Sequence, residues 1–178
     1  MVFIIFISLV ILLRICELLL AKRNEQWLLQ YGAVEYGKNH YSFMIALHIL
    51  FFISLIIEYL IKSTGFYSLT LLFIYVVVLG FKIWTIFSLG KFWNTKIYRI
   101  HDFPLIKRGP YNYVKHPNYI IVMTEIALIP LIFKLYFTAV VFTILNGIML
   151  YFRIKEENKA LGIPIKMKNK RDKSAIII

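Results

Sequence analysis

The chain has only one cysteine, Cys16, in 178 residues. This excludes an intrachain disulfide framework and most zinc sites, and we predict no metal centre. No two of the eight glycines are spaced G-x-G, so the dinucleotide and nucleoside fingerprint of soluble nucleotide-binding domains is missing. The P-loop, G-x-S-x-G and H-E-x-x-H motifs are absent as well. Any nucleotide-like cofactor must therefore be bound by a site without these motifs.

Acidic residues are few, nine in all, whereas hydrophobic residues make up 60 % of the chain. A soluble domain of this size has no interior large enough for so much apolar surface. Five apolar runs occur, three of them close to the length that crosses a bilayer as a helix; they cover residues 2–20, 41–61, 69–89, 119–133 and 135–152. The first run lacks the basic start and the small-residue cleavage site of a signal peptide. We predict an all-α integral membrane protein with about five transmembrane helices in a single domain, residues 1–178.

Basic residues are concentrated in alternate polar segments. Of the 21 Lys and Arg residues, three follow the first run, six lie between the third and fourth runs, and eight follow the fifth. The positive-inside bias then places the amino terminus outside the cell and the carboxyl terminus in the cytoplasm. These residues flank spans, so anionic membrane lipid is a simpler partner for them than nucleic acid. The sequence gives no prediction of the oligomeric state.

Charged side chains inside the apolar runs are costly at membrane depth. Arg14 and Glu17 are three residues apart and can pair on one helix face. Lys82 lies near the end of its run, and we expect it to reach out to the interface. Glu125 lies six residues after Tyr119 with no basic neighbour. Its partner must come from another helix or from a bound ligand, which makes Glu125 a candidate catalytic residue.

Residues 108–119 form the most informative segment, because they are polar, ring-rich and turn-rich directly before an apolar run. The segment contains one histidine, two prolines and three tyrosines. Pro117 is well suited to be the first residue of a helix. His116 would then lie beside free backbone N–H groups, a setting that favours an anionic ligand group. The alternative interpretation is an ordinary loop histidine.

A second polar cluster follows the fifth run. Arg153 precedes Glu156 by three residues and Glu157 by four. If the helix continues, these side chains share a face at its cytoplasmic end. Two adjacent glutamates at a helix carboxyl end oppose the helix dipole, which favours a purpose other than stability. An ordinary charged helix end remains the alternative.

Together these two clusters resemble the isoprenylcysteine carboxyl methyltransferase family, whose members are integral membrane enzymes that use S-adenosylmethionine. The resemblance is carried by Gly109-Pro110-Tyr111, Tyr113-Val114, His116-Pro117 and Tyr119, followed further along by Arg153 and Glu156-Glu157. Trp84, Ser88-Leu89-Gly90 and Phe92-Trp93 are similar to the preceding segment of the short bacterial branch. The similar segment covers residues 84–161 and leaves 162–178 as a basic cytoplasmic tail.

The resemblance implies roles for individual residues. Five residues of the motif are expected to enclose the cofactor: Tyr111, Tyr113, His116, Pro117 and Tyr119. Glu156 or Glu157 is expected to contact the polar groups of S-adenosylmethionine. Arg153 is expected to contact the cofactor or the acceptor.

The resulting hypothesis is a methyltransferase that uses S-adenosylmethionine and acts on a lipophilic acceptor. We expect O-methylation of a carboxylate, or of a phenolic or enolic hydroxyl, on a polyketide-type or prenyl-like lipid. A carboxylate is already ionised at neutral pH, whereas a hydroxyl needs a base, for which His116 is the candidate. Three alternatives stay open: an NADPH-dependent reductase of the sterol-reductase type, a phospholipid N-methyltransferase, and a non-catalytic membrane partner protein.

Overall fold

The computed structural model describes residues 1–62, 65–100 and 106–160; the predicted tail at 162–178 lies outside the described residues. Five α-helices follow one another: α1 (Val2–Gln30), α2 (Lys38–Lys62), α3 (Leu69–Leu89), α4 (Pro117–Ile132) and α5 (Tyr136–Ala160). Four of them are long and apolar enough to cross a membrane, and α4 is a shorter apolar helix. The predicted helical membrane architecture is confirmed, and each apolar run coincides with one helix. Helices α1 and α5 continue well past their apolar runs.

The polar segments add a small antiparallel sheet that the sequence did not predict. Strand β1 (Val34–Tyr36) pairs with β2 (Ile97–Arg99). The hydroxyl of Tyr98 donates to Glu25 Oε1 at 2.6 Å, which ties β2 to the extended end of α1. The sheet therefore joins the loop after α1 to the loop after α3 at the polar end of the bundle.

Two asparagines fix the segment before β2 against α1. Asn24 Nδ2 donates to the carbonyl oxygen of Trp93 at 2.7 Å. Asn94 Nδ2 donates to the carbonyl oxygen of Ala21 at 2.9 Å. Both amides are buried, and buried polar groups are stable only when they are hydrogen-bonded. The backbone of residues 93–95 is thereby held in one position, which matters for the site below.

A tight turn at Gly109 presses the motif against α3. Gly109 has φ +54°, a left-handed conformation that L side chains rarely adopt, and a Cβ there would collide with Ser88 Oγ. Only glycine fits this close approach. The 3₁₀ turn that follows, Gly109–Asn112, buries Tyr111 beside α3. The chain then enters α4 at Pro117, the predicted first helical residue.

The main apolar core fills the end of the bundle away from the sheet. It contains fourteen buried side chains from all five helices and the α4–α5 turn. Phe3 stacks on Tyr59 with ring centroids 3.7 Å apart and packs edge-on against Phe133. Packing of these rings fixes the α4–α5 turn against α1 and α2, because helices within a bilayer associate largely through close van der Waals packing.

Glu58 on α2 caps the amino terminus of α5. Its carboxylate accepts hydrogen bonds from the backbone N–H groups of Phe137 at 3.2 Å and Thr138 at 2.8 Å. Those amides have no partner within their own helix, and the positive end of the helix dipole favours a carboxylate. Lys62 Nζ lies 2.8 Å from the same carboxylate. Glu58 therefore fastens α5 to α2.

We expect Glu58→Ala to lower the free energy of unfolding by about 1–2 kcal/mol, the usual effect of losing a helix cap. The measurement is an SDS titration of the purified protein in mixed micelles. Lys62→Met is the matched control, because it removes only the partly exposed ion pair, which contributes about 1 kcal/mol or less. A larger loss from Lys62→Met than from Glu58→Ala would contradict the capping role.

Candidate active site

Arg153 is held at the polar end of α5 by three separate segments. Its Nε donates to the Tyr119 hydroxyl at 2.9 Å, and its Nη1 lies 2.8 Å from the Met44 sulfur. Its Nη2 donates to the Thr95 carbonyl oxygen at 2.6 Å. The side chain is buried. Helices α2, α4 and α5 and the segment fixed by Asn24 and Asn94 therefore meet at one guanidinium group.

Glu157 lies one turn after Arg153 and faces the motif. The Tyr119 hydroxyl donates to Glu157 Oε2 at 2.7 Å. His116 Nδ1 lies 3.5 Å from the same oxygen, longer than a good hydrogen bond. Glu157 is 0 % exposed. The structure thus brings together the two polar clusters that the sequence singled out, one before α4 and one at the end of α5.

Several buried polar atoms of this cluster have no hydrogen-bond partner among the residues that the structure describes. They are Glu157 Oε1, the Tyr111 hydroxyl and both ring nitrogens of His116. Buried polar atoms in folded proteins are nearly always paired, and leaving one unpaired costs about 1–3 kcal/mol. Such a group of atoms in one place is typical of a ligand site.

The two rings that border Glu157 differ in what they can offer a ligand. His116 stacks on Tyr119, with centroids 5.1 Å apart and planes 4° apart. Burial, helped by the charge of Lys115, lowers the pKa of His116 to about 4, so the imidazole is neutral at pH 7 and can accept a hydrogen bond. Burial, helped by the charge of Glu157, raises the pKa of Tyr111, so its hydroxyl keeps its proton.

An interhelical cavity of about 210 Å³ begins at Arg153 and Tyr119 and extends into the bundle. Its wall is mostly apolar and comes from α1, α2, α4 and α5. Helix α2 contributes residues that recur every three or four positions and therefore lie along one face: Tyr41, Met44, Ile45, His48, Ile49 and Phe52. Leu18, Ile45 and Ile49 are exposed at the rim, so the cavity opens sideways between α1 and α2.

The other predicted residues take less central positions. Glu156 is half-buried on the sheet side of α5 and pairs with Lys159 at 2.6 Å. It lines a small cavity near Arg153, away from His116. Tyr113 is 84 % exposed and lies in a surface groove beside α3. Pro117 is buried at the start of α4. The adjacent glutamates therefore face different surroundings, and Tyr113 lies outside the buried cluster.

Glu125 is paired with other helices. Arg14 Nη2 donates to Glu125 Oε2 at 2.7 Å, and Lys82 Nζ lies 3.0 Å from each of its oxygens. Glu17 completes the network through Arg14 at 2.9 Å and through Lys82. Two cations and two carboxylates from α1, α3 and α4 thus neutralise one another. Of the two predicted sources of a partner for Glu125, another helix is the one found.

The expectation that Lys82 reaches the interface was wrong. Lys82 is only 3 % exposed, and its ammonium group turns inward to Glu17 and Glu125. Pairing with the buried Glu125 and the partly buried Glu17 offsets the cost of taking the ammonium group out of water. The Arg14–Glu17 pair forms as predicted, but as half of a larger network.

Sequence reasoning missed the contributions of α2. Met44 contacts Arg153, and His48 lines the cavity. A histidine within an apolar span is a signal for function in its own right. The Thr95 carbonyl had no such signal, because any residue supplies a backbone oxygen.

A model of the isoprenylcysteine carboxyl methyltransferase (ICMT) family matches residues 69–163, which include α3, the motif, α4 and α5. The chain belongs to the ICMT family. It is accordingly a multi-pass membrane protein and a membrane-embedded methyltransferase. The matched segment contains every residue of the cluster around Glu157 and extends the predicted similarity toward the amino terminus by the length of most of α3.

The relatives of this ICMT-family chain are bacterial. It is 42 % identical to uncharacterized protein YpbQ of Bacillus subtilis strain 168 over 157 residues, which cover 87 % of this chain and 94 % of the relative. It is 28 % identical to an uncharacterized protein of Haemophilus influenzae, over 86 % of this chain and 91 % of that protein. No solved structure gives a significant match. The likeness extends beyond the family segment into α1 and α2.

Proposed function

We propose that this ICMT-family protein transfers a methyl group from S-adenosylmethionine to an oxygen atom of a lipophilic acceptor. The observation that carries the proposal is the junction of two different environments at Arg153 and Tyr119. On one side lie the unpaired polar atoms around Glu157, and on the other lies the apolar cavity. Transfer of a methyl group from a polar donor to a lipophilic acceptor needs a site where polar and apolar surroundings meet.

The residues present fit the methyl donor. S-Adenosylmethionine carries an ammonium group, ribose hydroxyls and a positively charged sulfonium, which supplies the methyl group. Glu157 Oε1 is a buried acceptor without a partner, suited to a cation or a hydroxyl. The Tyr111 hydroxyl can donate and the neutral His116 ring can accept, so they would bind groups of the adenosine part. These are directional contacts that fix orientation.

The acceptor side needs an apolar tail and an oxygen head group. The cavity wall holds a hydrocarbon chain, and its lateral rim lets a lipid enter from the bilayer. Methyl transfer is a displacement, so positioning of the reacting atoms and exclusion of water make the main contribution. Arg153, whose contacts lock it in place, orients the head group at the boundary. We expect a carboxylate or a phenolic or enolic hydroxyl on a polyketide-type or prenyl-like lipid.

We infer from the basic segments that the site faces the cytoplasm at the bacterial cell membrane, where S-adenosylmethionine is available. The basic residues in and directly before the motif, Lys107, Arg108 and Lys115, support this orientation through the positive-inside bias. Lys91 and Lys96, which follow α3, belong to the same basic segment and support the same orientation. The amino terminus then lies outside the cell.

Calorimetry on the detergent-purified protein tests the proposal. We expect heat of binding with a micromolar dissociation constant for S-adenosylmethionine and for S-adenosylhomocysteine, and none for NADPH. The same purified protein is used with each ligand, so NADPH serves as a control for nonspecific binding of a nucleotide cofactor. Binding of NADPH without binding of S-adenosylmethionine would favour a reductase and overturn the proposal.

A further inference from the structure

His48 has a defined proton arrangement. Its Nδ1 lies 2.8 Å from the backbone carbonyl oxygen of Met44. A carbonyl oxygen can only accept a hydrogen bond, so Nδ1 must carry the hydrogen. In the neutral ring the lone pair is therefore on Nε2. No residue that the structure describes forms a hydrogen bond with Nε2, and the ring lines the cavity.

The position of His48 suits contact with a bound head group. Met44, whose carbonyl oxygen accepts from His48, also places its sulfur against Arg153. His48 follows Met44 by one helical turn, about 6 Å along the axis. It therefore lies slightly deeper in the bilayer than Arg153 and Tyr119, where a lipid head group pressed against that boundary would expose its oxygen. His116, the base expected from the sequence, does not line this cavity.

The surroundings of His48 suit an anion produced next to it. The charges that act on the ring are those of Arg14 and Glu17 on α1 and of Lys82 on α3. Arg14 and Lys82 are paired with Glu17 and Glu125, so this network is neutral overall. The rest of the wall near the ring is apolar, with Ile45, Ile49 and Phe52 as neighbours on the same helix. The acceptor oxyanion formed there is instead attracted by the protonated His48 ring, because opposite charges interact strongly in a medium that screens them poorly.

We propose that His48 is the catalytic base of this enzyme and that the acceptor is a lipophilic phenol or enol. This inference rests on the proposed methyl transfer and narrows its acceptor class. A carboxylic acid is ionised at neutral pH and needs no base, whereas a phenol is mostly protonated. His48 Nε2 takes the proton from the acceptor O–H, and the electron pair left on oxygen forms the new O–CH₃ bond. The carbon–sulfur bond of the sulfonium breaks with its pair on sulfur, and His48 later releases its proton to water.

The first test measures ionisation without turnover. The probe is a nitrophenol bearing a dodecyl chain, whose phenolate absorbs at a longer wavelength than the phenol. Bound to the wild-type protein at pH 7, the probe is expected to be largely phenolate. With His48→Gln, and with His48→Asn as a second variant, we expect at least a fivefold lower phenolate fraction. Phe43→Leu, on the lipid-facing side of α2, is the matched control and should resemble the wild type.

The second test compares acceptors. With dodecylphenol, which is mostly protonated at pH 7, we expect His48→Gln to lower kcat by about a hundredfold or more, the usual contribution of a general base. With a fatty acid of similar chain length, any methylation should change by less than threefold, because that acceptor needs no base. An equal phenolate fraction in wild type and variants, or a wild-type protein that binds the fatty acid but not the nitrophenol, would overturn the proposal.

The two proposals fail in different ways. Wild-type protein and His48→Gln should bind S-adenosylmethionine equally in the calorimeter, because His48 lies outside the cluster around Glu157. If both bind it but the variant methylates dodecylphenol at the wild-type rate, the base assignment is wrong and the methyl transfer stands. If neither binds it, the proposed function itself is wrong.

Discussion

Replacing Glu157 by glutamine should weaken binding of S-adenosylmethionine about ten- to hundredfold. Glu157 Oε1 is buried without a partner among the described residues, and hydrogen bonds to charged groups contribute about 1.5–3 kcal/mol. Glutamine has nearly the same shape, and its amide oxygen can still accept from Tyr119. The fold is therefore retained while the negative charge is lost. The measurement is the dissociation constant from calorimetry.

The neighbouring glutamate provides the matched control. Glu156→Gln makes the identical chemical change one residue away, on the half-buried sheet side of α5. We expect it to change the dissociation constant by less than threefold. Equal constants for Glu157→Gln and the wild type would remove Glu157 from the cofactor site. A larger effect at Glu156 would place the cofactor on the sheet side instead.

Replacing Lys82 by methionine should produce the largest loss of stability. Lys82 neutralises Glu17 and Glu125 in the buried network, and methionine keeps the length of the side chain but not its charge. Arg14 would then be the only cation beside the buried Glu125 and the partly buried Glu17. Removing one partner of a buried ion pair costs about 3–5 kcal/mol, because it leaves an uncompensated charge. SDS titration in mixed micelles measures the change.

Restoring charge balance should recover part of that loss. In Lys82→Met combined with Glu125→Gln, the remaining pair of Arg14 and Glu17 is again neutral. We expect the double variant to be more stable than the sum of the two single losses, which is the signature of coupled residues. Lys155→Met, at an exposed position on α5, should cost less than about 0.5 kcal/mol. Additive losses, or a harmless Lys82→Met, would show that the network carries no such weight.

The sequence was sufficient for the helices because apolar length is a strong and local signal. Each run became a helix, and Pro117 began α4 as its fixed backbone angle favours. The small sheet escaped prediction because strands of three residues carry little pattern, and their pairing joins segments distant in the chain. The resemblance of the motif and the Arg153 cluster to a known family made their meeting predictable.

Side-chain partners across helices could not be predicted in the same way. Lys82 was expected at the interface because it lies near the end of its apolar run, whereas its partners lie on α1 and α4 and could not be inferred from its own helix. Glu157 and Glu156 are equivalent in the sequence, and only the rotation of α5 decides which one faces Tyr119. The role of α2 was missed because an apolar face on a helix is typical of ordinary packing. Only the structure shows that a cavity lies beside this face.

The wall of the lipid-facing cavity comes partly from α1 and α2, which precede the segment that defines the family. The polar cluster thus lies wholly within the family segment, whereas the apolar cavity also takes part of its wall from the two helices before it. If the first two helices were exchanged between homologues, we would expect the lipophilic acceptor to change and the use of S-adenosylmethionine to stay the same. A methyltransferase built in this way can acquire a new acceptor through changes in its first two helices.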